Sequence, residues 1–85
     1  MAVSLSSKHQ KFVKHLKTNP KVVDWADVES LYLAMGYKMK QGGSSHIRFI
    51  HPTMYQFRTP KPHPRKTIIH WQIKEVLAHL ASIGV

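Results

Sequence analysis

The 85-residue sequence predicts an α+β domain in which helices cover one face of a three-stranded antiparallel sheet. Three observations predict it. Apolar residues recur at helical spacing near the start of the chain, in its middle and at its end. Three short alternating stretches between positions 37 and 59 are separated by turns bearing glycine or proline. Within those stretches the alternation sends most aromatic residues to one side and the cations to the other. A chain this short has room for a single modest core.

The first helix is predicted over Ser6 to Lys17, where Leu5, His9, Phe12 and Leu16 recur on one face. Ser6 or Ser7 is available as its cap. Asn19-Pro20 stops it, because the residue before a proline is driven out of helical geometry. A second helix is expected from Asp24 to Met35, with Asp24, Asp27 and Glu29 near the positive end of its dipole. Val28, Leu31, Tyr32 and Met35 form its apolar stripe, and Gly36 ends it in the left-handed conformation.

The strands are expected at Tyr37 to Gln41, Ser45 to Ile50 and Met54 to Thr59. Gly42-Gly43-Ser44 and His51-Pro52-Thr53 make the turns between them, and connections this short impose an antiparallel meander. Pro60 to Pro64 carries three prolines without amide hydrogens and reads as an extended loop. The last helix, His70 to Ser82, presents Ile69, Ile73, Val76, Leu77 and Leu80. His9, His15, His70 and His79 are expected at the surface or partly buried on helices, and His51 in a turn.

Alternation assigns Tyr37, Met39, Ile47, Phe49, Tyr55 and Phe57 to the core side of the sheet. The outer side collects Lys38, Lys40, His46, Arg48, Gln56 and Arg58, with Ile50 and Met54 as apolar exceptions. A merely solvated sheet face mixes charges of both signs; this one has no acid. The whole chain leans the same way, with 13 Lys and Arg against four Asp and Glu and a formal net charge of +9. Such an excess draws polyanions, nucleic acid first and an acidic protein second. Cysteine is absent, which removes disulfides, thiolate nucleophiles and thiolate zinc sites. No apolar run approaches the roughly 20 residues that span a bilayer, so a soluble cytoplasmic protein is expected.

Taken in order, these residues resemble a known family. A helix ending at Met35-Gly36-Tyr37 leads to a basic strand and then to Gly42-Gly43-Ser44-Ser45-His46-Ile47-Arg48-Phe49. Pro62-His63-Pro64, Ile68 and a closing helix with Val76-Leu77 follow. The arrangement is similar to that of the HicA toxins of HicA/HicB toxin–antitoxin systems. It covers roughly Val22 to Val85, so residues 21–85 form the HicA-like domain and residues 1–20 an N-terminal helical extension. Two departures are visible: Ser44 stands where the family has a glycine, and Trp71-Gln72 replaces a Gly-Thr opening of the last helix. The resemblance implies a fold like a double-stranded-RNA-binding domain, endoribonuclease activity on mRNA, inactivation by a HicB-like antitoxin, and His46 as the residue tied to activity.

RNA carries its own nucleophile in the 2′-hydroxyl, so few groups suffice to cut it. The enzyme must take the 2′-hydroxyl proton, stabilise charge on phosphorus and protonate the leaving 5′ oxygen. Histidine serves as acid or base near neutral pH. On this reading His46 is catalytic, and Lys38, Lys40, Ser45, Arg48, Arg58 and His63 bind RNA. His63, held between two prolines, is either a second acid–base group or a packing residue. No histidine spacing of the zinc-protease type and no Ser-His-Asp arrangement is present, so metal-independent cleavage without a cofactor is expected. Two other functions fit the same charge: a non-catalytic RNA-binding module, and an inactive subunit whose basic face meets an acidic partner protein.

Overall fold

The computed structural model describes residues 5–41, 46–62 and 66–85, and its architecture is α+β. The described elements, in order, are α1 (Ser7–Lys17), β1 (Val22–Asp24), α2 (Trp25–Ala34), β2 (Lys38–Gln41), β3 (His46–Ile50), β4 (Phe57–Pro60), β5 (Thr67–Ile69) and α3 (His70–Ser82). Strands β2, β3 and β4 form an antiparallel sheet in that order. The arrangement is consistent with a double-stranded-RNA-binding-domain-like fold.

Both predicted stops of the first two helices hold, each by a left-handed residue. Asn19, at φ 63°, follows the C-cap of α1 immediately before Pro20. Gly36, at φ 92°, follows α2. Asparagine and glycine tolerate this region because a short polar side chain or none avoids the Cβ clash. Ser6 is the N-cap of α1, its hydroxyl accepting from the His9 amide at 3.4 Å.

One core unites the elements. Val13 and Leu16 of α1 share it with Val28, Leu31 and Tyr32 of α2, Ile47 and Phe49 of β3, Phe57 of β4, and Ile73, Val76 and Leu80 of α3. At its centre the Tyr32 ring stacks on Phe49 (centroids 4.6 Å apart) and on Phe57 (5.4 Å). These parallel contacts hold α2 flat against the inner face of the sheet. His9 adds a polar tie between helices, with Nδ1 2.8 Å from the Ser6 hydroxyl and Nε2 3.0 Å from that of Ser30 on α2.

The fold departs from the sequence reading at four points. A two-stranded antiparallel ribbon, β1 with β5, pairs Val22 with Ile69 and Asp24 with Thr67. It was not expected, because three-residue strands distant in the chain leave no periodic trace. The third strand of the meander is Phe57–Pro60 rather than Met54 to Thr59. The chain before it is held as a turn by His51, whose Nδ1 accepts from the amides of Thr53 (3.1 Å) and Met54 (3.2 Å). The strand also takes in Pro60, expected in a loop, because β4 is an edge strand where a missing amide hydrogen is tolerated. Tyr55, expected in the core, is instead 71% exposed. Its carbonyl, not its ring, faces inward, accepting from the Tyr37 hydroxyl at 2.7 Å and from His79 Nε2 at 2.8 Å.

His79 is the fourth departure: expected at the surface or partly buried, it is only 9% exposed and belongs to the core. A carbonyl oxygen can only accept, so the Tyr55 bond makes Nε2 the protonated nitrogen. Nδ1 is then free to accept from the Tyr32 hydroxyl at 2.8 Å. The geometry thus selects one neutral tautomer. Burial holds the His79 pKa below the ordinary histidine value, partly offset by the Tyr55 bond, and burial raises the Tyr32 and Tyr37 hydroxyls.

Candidate nucleic-acid interface

The outer face of the sheet is built by strand register. Lys40 of β2 lies opposite Arg48 of β3, and Arg48 lies opposite Arg58 of β4. All three are exposed, whereas the alternate residues Ile47, Phe49, Phe57 and Thr59 are buried. Period-two alternation therefore turns the three cations to one side, in a row across strands about 4.8 Å apart. Lys38, exposed, lies on the same side of β2 opposite half-buried Ile50. Gln56 is exposed as expected, but in the loop before β4 rather than on a strand.

Like charges directly opposite in a sheet destabilise the pairing. This row does so twice, and no acid on the sheet relieves it: Asp24, Asp27, Glu29 and Glu75 all lie on β1, α2 and α3. A positive field concentrated in this way favours a polyanion lying across the strands.

His46, exposed, opens β3 opposite Pro60. It precedes Arg48 by two residues, which places it on the cationic side about 7 Å along the strand. The imidazole therefore belongs to the outer face and not to the interior. Of the residues expected at the site, Lys38, Lys40, His46, Arg48 and Arg58 share this face. Gly42, Gly43, Ser44, Ser45 and His63 lie outside the described residues. Among the described residues, no group of three or more His, Asp or Glu side chains is arranged to hold a metal ion. No described helix is long and apolar enough to cross a membrane.

The model of the family described as the HicA toxin of bacterial toxin–antitoxin systems matches residues 25–83. The chain belongs to the HicA toxin family. The match begins at the first residue of α2 and runs one residue past α3, so it contains the whole cationic sheet. Family membership makes the chain the toxin of a toxin–antitoxin system, with an antitoxin as its counterpart. No curated protein and no solved structure matches the chain. The HicA match leaves out α1 and β1, yet both are structurally joined to the matched part, β1 through β5 and α1 through the core.

One exposed aromatic residue escaped the sequence reading except as a departure from the family pattern. Trp71, in the first turn of α3, is 50% exposed. Its neighbour Gln72 is buried and donates from Nε2 to the Pro60 carbonyl at 3.1 Å. That bond fastens the start of the HicA toxin's last helix to the strand paired with His46.

Proposed function

We propose that this HicA toxin is an endoribonuclease that cleaves single-stranded mRNA in the cytoplasm and is neutralised by a HicB-like antitoxin. The observation that carries the reading is His46 on the same exposed face as the Lys40–Arg48–Arg58 row. An acid–base group beside an acid-free line of cations suits a phosphodiester whose own hydroxyl is the nucleophile.

In the proposed reaction His46 takes the proton of the 2′-hydroxyl, and a bond forms between that oxygen and phosphorus. The bond from phosphorus to the 5′ oxygen breaks, leaving a 2′,3′-cyclic phosphate and a 5′ oxygen that gains a proton to become a hydroxyl. Arg48, with Lys38, Lys40 and Arg58, holds the phosphate and offsets the charge that grows on it. Ser45 and His63 complete the RNA contacts, His63 being the candidate for the second proton transfer, and Gly42, Gly43 and Ser44 shape the turn that presents His46. The chemistry draws on no metal or cofactor, since the substrate supplies the nucleophile. The RNA-cleaving domain is residues 21–85, with residues 1–20 an extension.

A positioned base contributes roughly 10²–10⁴-fold. Cleavage of an mRNA in EDTA should therefore fall by about that factor in His46→Ala, with its thermal unfolding unchanged. A substrate with deoxyribose at the scissile position should resist cutting. Wild-type chain that binds RNA without cutting it would leave a binding module; wild-type chain that ignores RNA but binds an acidic protein would leave an interaction subunit.

A further inference from the structure

We infer that the pocket where the chain leaves β4 is a base-recognition subsite, taking a guanine of single-stranded RNA beside the phosphate at His46; this rests on the RNA-cleaving reading above. The pocket measures about 460 Å³ and is lined by Asp24, Trp25, Ala26, Lys61, Pro62 and Lys66. That size falls within the roughly 300–1,000 Å³ of small-ligand sites, which likewise combine apolar walls with a few charged groups. Its position follows from strand register. Pro60, the last residue of β4, lies opposite His46, and Lys61 comes next in the chain. Paired Cα atoms are about 4.5–5.5 Å apart and consecutive ones about 3.8 Å, so the Cα of Lys61 lies within about 10 Å of that of His46. A nucleotide whose phosphate lies at His46 can turn its base over the end of β4 into this pocket.

The fold fixes the lining. Asp24 pairs with Thr67 across the β1–β5 ribbon, and the Trp25 amide donates to the Lys66 carbonyl at 2.8 Å. Trp25, packed on Phe49 with centroids 6.0 Å apart, supplies a rigid apolar wall. Its Nε1–H is buried with no acceptor among the described residues, a state that folded interiors rarely leave without cause. Asp24 stands at the N-cap of α2, yet its exposed side chain makes no capping hydrogen bond. A carboxylate only accepts, and its two oxygens take two donors side by side. Guanine alone among the four bases presents two adjacent donors, N1–H and the N2 amino group, next to an acceptor, O6. Lys61 and Lys66, both exposed, supply the cations for O6 and the adjoining phosphate. Lysines donate and cannot accept, so the one carboxylate decides the base. Asp24 precedes the matched residues 25–83, so the family pattern does not assign it.

The test uses the full chain and short 2′-O-methyl RNA oligomers, which lack the nucleophile, with and without a single guanine. The guanine oligomer should bind about tenfold more tightly, as a two-pronged base contact does. Asp24→Asn should abolish that preference, because its amide keeps one acceptor oxygen, while remaining a good N-cap for α2. Arg48→Ala should weaken both oligomers alike and keep the preference. In Trp71→Phe the only tryptophan is Trp25, whose emission should change with the guanine oligomer and not with the other. This readout needs no change at Asp24, so it keeps the test intact even if Asp24→Asn fails to fold. Equal wild-type affinity for the two oligomers, or a preference undiminished in Asp24→Asn, overturns the guanine subsite and leaves RNA binding by the sheet intact. An emission that responds to both oligomers or to neither does the same. Wild-type chain that binds neither oligomer removes the underlying reading and this inference together.

Discussion

The Tyr32 hydroxyl donates to Nδ1 of His79 across 2.8 Å, joining α2 to α3 inside the core. His79 Nε2 passes the connection to the Tyr55 carbonyl, which the Tyr37 hydroxyl also engages. A buried chain of this kind is stabilising only while every member has its partner. His79→Phe would leave the Tyr32 hydroxyl buried without its acceptor, a loss of about 1–3 kcal/mol. Urea unfolding should show it as a lower midpoint at unchanged slope.

The same residue sets a pH dependence. Burial lowers the His79 pKa in the folded chain relative to about 6.5 in the unfolded one. The unfolded state then binds more protons, so stability falls as pH falls. The contribution is complete above about pH 6.5 and is lost as pH descends from there through the lower folded-state value. Thermal unfolding across that range should show the decline in the wild type and a flatter profile in His79→Gln.

Gly36→Ala should destabilise for two reasons. The residue sits at φ 92°, and a Cβ there would lie 3.3 Å from Nε2 of His51. Left-handed geometry alone costs a residue with a Cβ roughly 1–2 kcal/mol. A fall in melting temperature of about 4–16 °C is expected for a domain of this size.

The cation row predicts effects of opposite sign on stability and binding. Arg48→Ala removes like-charge contacts with both Lys40 and Arg58, so stability should hold or rise by up to about 1 kcal/mol. RNA affinity should fall, and the slope of log affinity against log salt should shrink by about 0.7 for the lost phosphate contact. A titration at several salt concentrations checks both the sign and the slope.

Leu16 of α1 is fully buried in the common core. Leu16→Ala should cost about 2–5 kcal/mol, as a core truncation does. A loss of that size, read by urea unfolding, would mean that the first helix stabilises the whole domain. An extension that merely frays would show almost none.

The helices were legible in the sequence because each carries its own signals: a capping Ser6, a stop at Asn19-Pro20 or Gly36, and apolar residues at helical spacing. The cationic face was legible because side chains alternate strictly along a strand, so Lys40, Arg48 and Arg58 sort together once their strands are found. Local rules ended there. The β1–β5 ribbon joins segments that no periodicity links. The start of β4 depended on how His51 closes a turn, and the inward Tyr55 carbonyl on two side chains from other elements. His79 was placed by the same cause: a histidine becomes a core residue only when a hydroxyl and a carbonyl from distant parts of the chain satisfy both ring nitrogens. Register and burial of polar groups are properties of the assembled core, because the partners that offset desolvation exist only once the chain has folded.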